Sequence, residues 1–124
     1  MDSKKTILII DDSNINVVLL EALLFDNGYS PLTCYSVKEA LNILENITPD
    51  MIILDLLMPF TDGYAFLKII RENNKTKGIP VLVFSAVSTS EGIKKATDFG
   101  LVDFICKPGD MDNIIKVIAD FFHR

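Results

Sequence analysis

The sequence predicts a single α/β domain, a five-stranded parallel sheet wound on both faces by five helices. Three observations predict it. Short apolar runs alternate with segments of helical period along the chain, which is the pattern of successive βαβ units with right-handed crossovers. The runs are rich in β-branched or aromatic residues and nearly uninterrupted, as strands covered on both faces require. A length of 124 residues with 49% hydrophobic content is ample for one packed core and leaves no room for a second domain.

The strand candidates are "TILII" (6–10), "MIIL" (51–54), "VLVF" (81–84) and "DFIC" (103–106), with a weaker fifth in "PLTCY" (31–35). In the first helix Ile15, Val18, Leu19, Ala22 and Leu23 form one stripe, read as its core face, and Asn27-Gly28 is the stop signal. The second starts at "SVKE", where Ser36 and Glu39 make a capping box, and its face is Val37, Ala40, Leu41 and Leu44. A third follows "TDG", with Phe66, Leu67 and Ile70 on one side, and closes in "NNKTKG". The fourth runs from Ser90 to Phe99 and ends at Gly100. The fifth, from about Asp110, carries Met111, Ile114, Ile115, Ile118, Phe121 and Phe122.

A net charge of -5, from 12 basic and 17 acidic residues, argues against direct nucleic-acid or anionic-membrane binding through bulk electrostatics. No stretch reaches the roughly 18 apolar residues of a membrane span, and "MDSKK" does not open a signal peptide. A cytoplasmic location is expected. Cys34 and Cys106 form no CxxC pair, so no zinc or redox motif is indicated, and both are expected to be ordinary core thiols. His123, the only histidine, reads as a solvated end residue.

Four strands run into a chemically useful residue: Asp11 and Asp12 after the first, Asp55 after the third, Ser85 after the fourth and Lys107 after the fifth. Parallel strands end on one edge of the sheet, where open α/β sheets bind their ligands, so the five residues should share one crevice. Singly, the acids and Ser85 are more simply caps or turn formers, and Lys107 a solvated lysine. Jointly, they describe a site. Three crowded carboxylates repel unless a cation joins them, and an all-oxygen set with few protein ligands suits Mg2+. With Lys107 as a second positive charge, Asp55 can remain an ionised nucleophile for phosphoryl transfer. Ser85 and Lys107 would stabilise the transferring group.

Here the sequence closely resembles the receiver domain of two-component response regulators, the CheY-like family with the flavodoxin-like fold. The motifs are "IIDDS" with Asp11 and Asp12, "LDLLMPFTDG" with Asp55, Met58, Pro59, Asp62 and Gly63, "VFSA" with Ser85 and Ala86, and "FICKP" with Phe104, Lys107 and Pro108. Asp55 to Ser85 spans 30 positions, and Ser85 to Lys107 spans 22. The resemblance implies strand order 2-1-3-4-5 and phosphorylation of Asp55 by a phosphohistidine on a sensor histidine kinase or a histidine phosphotransfer protein. It also implies Mg2+ held by Asp11, Asp12, Asp55 and the Leu57 carbonyl, and a switch formed by Ser85 and Phe104. A cis bond at Lys107-Pro108 is a further implication.

With that strand order Cys34 and Cys106 lie on opposite sheet edges, about four spacings of ~4.8 Å apart, which excludes a disulfide. Leu57 and Val87 are apolar at two positions that govern water access to the acyl phosphate in this family, so slow self-dephosphorylation is expected. Phe104 lacks a tyrosine hydroxyl, and Leu101 replaces the small residue common after the glycine.

The second stripe of the first helix, Val17, Leu20 and Leu24, reads either as further burial or as a docking face for the donor's helical bundle. The output face would offer Ile93, Lys94, Lys95 and Val117 to a homodimer partner or an unknown downstream protein. Such a domain is not an enzyme beyond its own phosphorylation and dephosphorylation. Three other functions compete with this one. A phosphorylation-independent interaction module of receiver fold is disfavoured by the filled active positions. An aspartate-nucleophile phosphatase would need an acid where Leu57 stands. A flavin binder would need a phosphate loop less acidic than "DDSNIN".

Overall fold

The computed structural model describes residues 4–58, 61–109 and 111–123; Pro59 of the "LDLLMPFTDG" motif and Asp110, the expected start of the last helix, lie outside them. The main sheet comprises β1 (Thr6–Ile10), β2 (Ser30–Cys34), β3 (Met51–Leu54), β4 (Val81–Ser85) and β5 (Asp103–Cys106). All pairings are parallel, in the order β2-β1-β3-β4-β5. Between them run α1 (Asn14–Asp26), α2 (Val37–Leu44), α3 (Gly63–Glu72), α4 (Ser90–Thr97) and α5 (Met111–Phe122). The predicted fold class and strand order are those observed.

Strand alternation divides the core in two. Ile7, Ile9, Met51, Ile53, Leu82 and Phe84 face α1 and α5, where they meet Val17, Leu20, Leu24, Ile114 and Ile118. Leu8, Ile10, Ile52, Leu54, Val81 and Val83 face the other way, onto Val37, Ala40, Leu44, Phe66, Leu67, Ile70 and Ala96. Helix ends follow the local signals. Ser36 accepts from the Glu39 amide as predicted, although the return contact joins the Ser36 hydroxyl to the Glu39 carboxylate, 3.4 Å apart. At the end of α1, Gly28 takes φ 88°, where a side chain is strained.

Two expectations fail on burial. The core face of α1 is Val17, Leu20 and Leu24, while Ile15, Val18 and Leu19 are 71%, 52% and 49% exposed. The helix is apolar on most sides, so its periodicity has no single phase. The positions of the sheet and α5 choose the buried stripe. Of the cysteines, Cys34 is buried but Cys106 is exposed. It ends β5, an edge strand in which only Ile105 is buried. The exposed stripe read as core and the exposed thiol are both corrected for the same reason: burial is set by neighbours that the local sequence does not name.

A two-stranded antiparallel ladder pairs Leu57–Met58 with Thr61–Asp62 directly after β3. It leads into α3, whose cap is Asp62, accepting from the Tyr64 amide at 2.9 Å. Gly63 must be glycine here, because a Cβ would lie 2.7 Å from Leu56 Cα.

Candidate phosphoryl-transfer site

The carboxyl ends of the strands bring the predicted residues to one edge. The Asp55 amide donates to Ile10 O at 3.0 Å, which sets Asp55 beside the end of β1, and the Lys107 amide donates to Ser85 O at 2.8 Å. Asp11, Asp55 and Ser85 are 2%, 5% and 0% exposed, whereas Asp12 is open to solvent.

Each buried strand-end side chain accepts from the backbone amide two residues on: Asp11 from Ser13 at 2.9 Å, Asp55 from Leu57 at 3.0 Å and Ser85 from Val87 at a longer 3.4 Å. The turn-forming role and the site role therefore coincide, since the bond that closes each turn also fixes the side chain in the crevice. Ser13 itself caps α1, accepting from the Asn16 amide.

The Lys107 ammonium bridges the two buried acids, 2.8 Å from Asp11 Oδ2 and 3.0 Å from Asp55 Oδ2. Burial by itself would lower its pKa; the hydrogen bonds and negative charges of Asp11 and Asp55 outweigh that, and the net shift is upward. Oxygen atoms of Asp11, Asp12 and Asp55 approach within 4.8 Å of one another. Three carboxylates against one ammonium leave an excess of negative charge among hard oxygen donors, which fits a divalent cation such as Mg2+.

Phe104 is half-buried on β5 and packs against the α2–α3 side of the core, opposite Val83 in the register. Leu57 is 53% exposed. The Lys107–Pro108 bond is cis, as expected. A cleft of about 570 Å³ lies elsewhere, between α1 and the start of β2, and is lined by none of these residues.

The family model for the response regulator receiver domain matches residues 7–119. The chain belongs to this family. The receiver is 30% identical over 115 residues to an uncharacterised 14.6 kDa protein of Leptolyngbya boryana, covering 93% of this chain and 88% of that one. It is 35% identical to the transcriptional regulatory protein ZraR of Escherichia coli, over 87% of this chain but only 24% of that protein. Among solved structures, a putative response regulator from Chloroflexus aurantiacus superposes with TM-score 0.87 at 30% identity, covering 98% of this chain and all of that one. A two-component response regulator from Clostridium difficile gives 0.90 at 26%, covering 98% of each.

Sequence reasoning missed two polar features. Tyr64 reaches α4, its hydroxyl donating to Gly92 O at 3.1 Å. Arg71 donates to Phe99 O, Gly100 O and Ile79 O at 2.9, 2.9 and 2.8 Å. All four acceptors are backbone carbonyls, which carry no sequence signal. Among the described residues no helix is long and apolar enough to cross a membrane.

Proposed function

We propose that this receiver accepts a phosphoryl group on Asp55 from the phosphohistidine of a sensor histidine kinase or a histidine phosphotransfer protein, in a Mg2+-dependent reaction. One observation carries the reading: a buried carboxylate at the end of the central strand is held by a lysine ammonium within reach of two further acids. An Asp55 oxygen bonds to phosphorus as the N–P bond breaks, and the bonding pair stays on the imidazole nitrogen, which takes up a proton. Lys107, already aimed at Asp55 Oδ2, retains its charge through the transfer and pairs with the phosphoryl oxygens. The buried Ser85 hydroxyl donates to the same group. Asp11, Asp12, Asp55 and the Leu57 carbonyl would hold the Mg2+, which supplies neutralisation of the developing charge.

Movement of Ser85 toward the phosphoryl group would let Phe104 turn inward, altering the α4–β5–α5 surface with Ile93, Lys94, Lys95 and Val117. That surface would meet a second copy or a downstream protein, and the receiver would act in the cytoplasm without touching nucleic acid or membrane. The donor's helices would dock on the exposed stripe Ile15, Val18 and Leu19 of α1, which begins beside the crevice. The chain's chemistry would be confined to making and hydrolysing its own acyl phosphate.

The test is incubation with acetyl phosphate, with and without Mg2+, with phosphate esters assayed in parallel. A Mg2+-dependent mass gain mapped to Asp55 and absent in Asp55→Asn is expected. Turnover of the esters would indicate a hydrolase, and no change in either assay an interaction module.

A further inference from the structure

Helix α4 has little apolar anchorage: Ala96 is its one buried residue, whereas α1 buries Val17, Leu20 and Leu24. Its position rests instead on polar contacts from α3, one at each end. Just past the far end the Arg71 guanidinium donates to Phe99 O and Gly100 O, in the turn that follows the helix. At the near end the Tyr64 hydroxyl donates to Gly92 O at 3.1 Å, and the Lys95 ammonium stands 4.4 Å from the centre of the Tyr64 ring. A helix held this way can be displaced at small cost, because few buried contacts must be broken.

The near end is also mechanically tied to the site. Ser85 Oγ accepts from the Val87 amide. Val87 in turn abuts the first turn of α4 so tightly that a Cβ on Gly92 would lie 2.7 Å from Val87 Cγ1 and 2.9 Å from Thr89 Oγ1. Thr89 caps that turn, accepting from the Gly92 amide at 3.1 Å. Any shift of Ser85 that carries Val87 along therefore alters the packing against Gly92, whose carbonyl accepts from Tyr64.

We propose that Tyr64 is a latch on the phosphorylation site, a positioning residue that holds the first turn of α4, and through Val87 the Ser85 hydroxyl, in the resting arrangement. The inference rests on the phosphoacceptor reading and adds its regulation. Phosphorylation must work against the latch, so by linkage removing it favours the phosphorylated arrangement. One neutral hydrogen bond corresponds to a roughly two- to tenfold change in an equilibrium constant.

Tyr64→Phe tests this, since it deletes the hydroxyl and keeps the ring under Lys95. Beryllofluoride with Mg2+, a mimic of the acyl phosphate, is expected to bind Tyr64→Phe roughly two- to tenfold more tightly than wild type. Hydrogen exchange at the Gly92 and Ile93 amides without beryllofluoride is expected to accelerate by a similar factor, with α1 and α5 unchanged. A merely structural loss would weaken beryllofluoride binding instead. Wild type that binds beryllofluoride while Tyr64→Phe matches it in both measurements defeats the latch alone. Wild type that takes up none defeats the phosphoacceptor reading and the coupling with it.

Discussion

The Lys107 ammonium lies 3.0 Å from Asp55 Oδ2, across 52 positions of sequence and one intervening strand, β4, and the same nitrogen reaches Asp11 Oδ2 at 2.8 Å. This bridge occupies one oxygen of each buried acid, so a cation bound at the acidic cluster would compete with the lysine for the same carboxylates.

Lys107→Met is therefore expected to separate two properties. Without the ammonium the acids hold a divalent cation more tightly, and Mg2+ titrated calorimetrically should show higher affinity than for wild type. Labelling of Asp55 by acetyl phosphate should meanwhile fall sharply, because the fixed charge on the transferring group is gone. In wild type the raised pKa of Lys107 means that its stabilising charge is complete below its ordinary value of 10.5 and is lost only as pH rises through the higher folded value. Alkaline destabilisation from this source should be missing in the variant.

The two stripes of α1 should respond oppositely to charge. Leu19→Glu, on the exposed face, should leave the fold and acetyl-phosphate labelling intact while abolishing transfer from the cognate donor. Val17→Glu places a carboxylate at a position 1% exposed and should cost about 4 kcal/mol or more, read as loss of the cooperative melting transition. Intact donor transfer in Leu19→Glu would remove α1 from the docking interface.

The cysteines should differ in reactivity. Burial, followed by the Glu39 charge, pushes the Cys34 thiol up to about 12, whereas Cys106 is exposed at the end of β5. Iodoacetamide near neutral pH should add one label per native chain, at Cys106, and two after denaturation. Protection of Cys106 in the native protein would contradict its place on the surface.

The acyl phosphate should be long-lived. Leu57 is half exposed at the rim of the site and Val87 is partly buried beside Ser85, so neither offers a group to orient an attacking water. A wild-type lifetime well beyond seconds is expected, and Leu57→Asn should shorten it severalfold in a phosphate-release assay. Loss of label within seconds from wild type would rule out this role for the pair.

Much of this molecule was legible from local pattern. The runs 6–10, 51–54 and 103–106 are strands with the predicted bounds, β2 begins one residue earlier and β4 extends to Ser85. Apolar periodicity and turn residues act within a few positions, so they identify elements well. The crevice was legible too, because a parallel sheet sends every strand's carboxyl end to one edge, and Asp11, Asp55, Ser85 and Lys107 each stand at such an end. The wrong face of α1, the exposure of Cys106 and the small ladder after Asp55 were not legible. Each depends on what packs alongside.

The sequence by itself determined the element order, the fold class and the identities of the groups at the strand ends, since these follow from short-range periodicity and from the rule that parallel strands share a carboxyl edge. Only the tertiary structure decided which stripe of α1 is buried, that Lys107 spans both Asp11 and Asp55, and that Tyr64 holds Gly92. Those outcomes rest on contacts between residues far apart in the chain, the last of them to a backbone carbonyl, which every residue possesses and no sequence pattern marks.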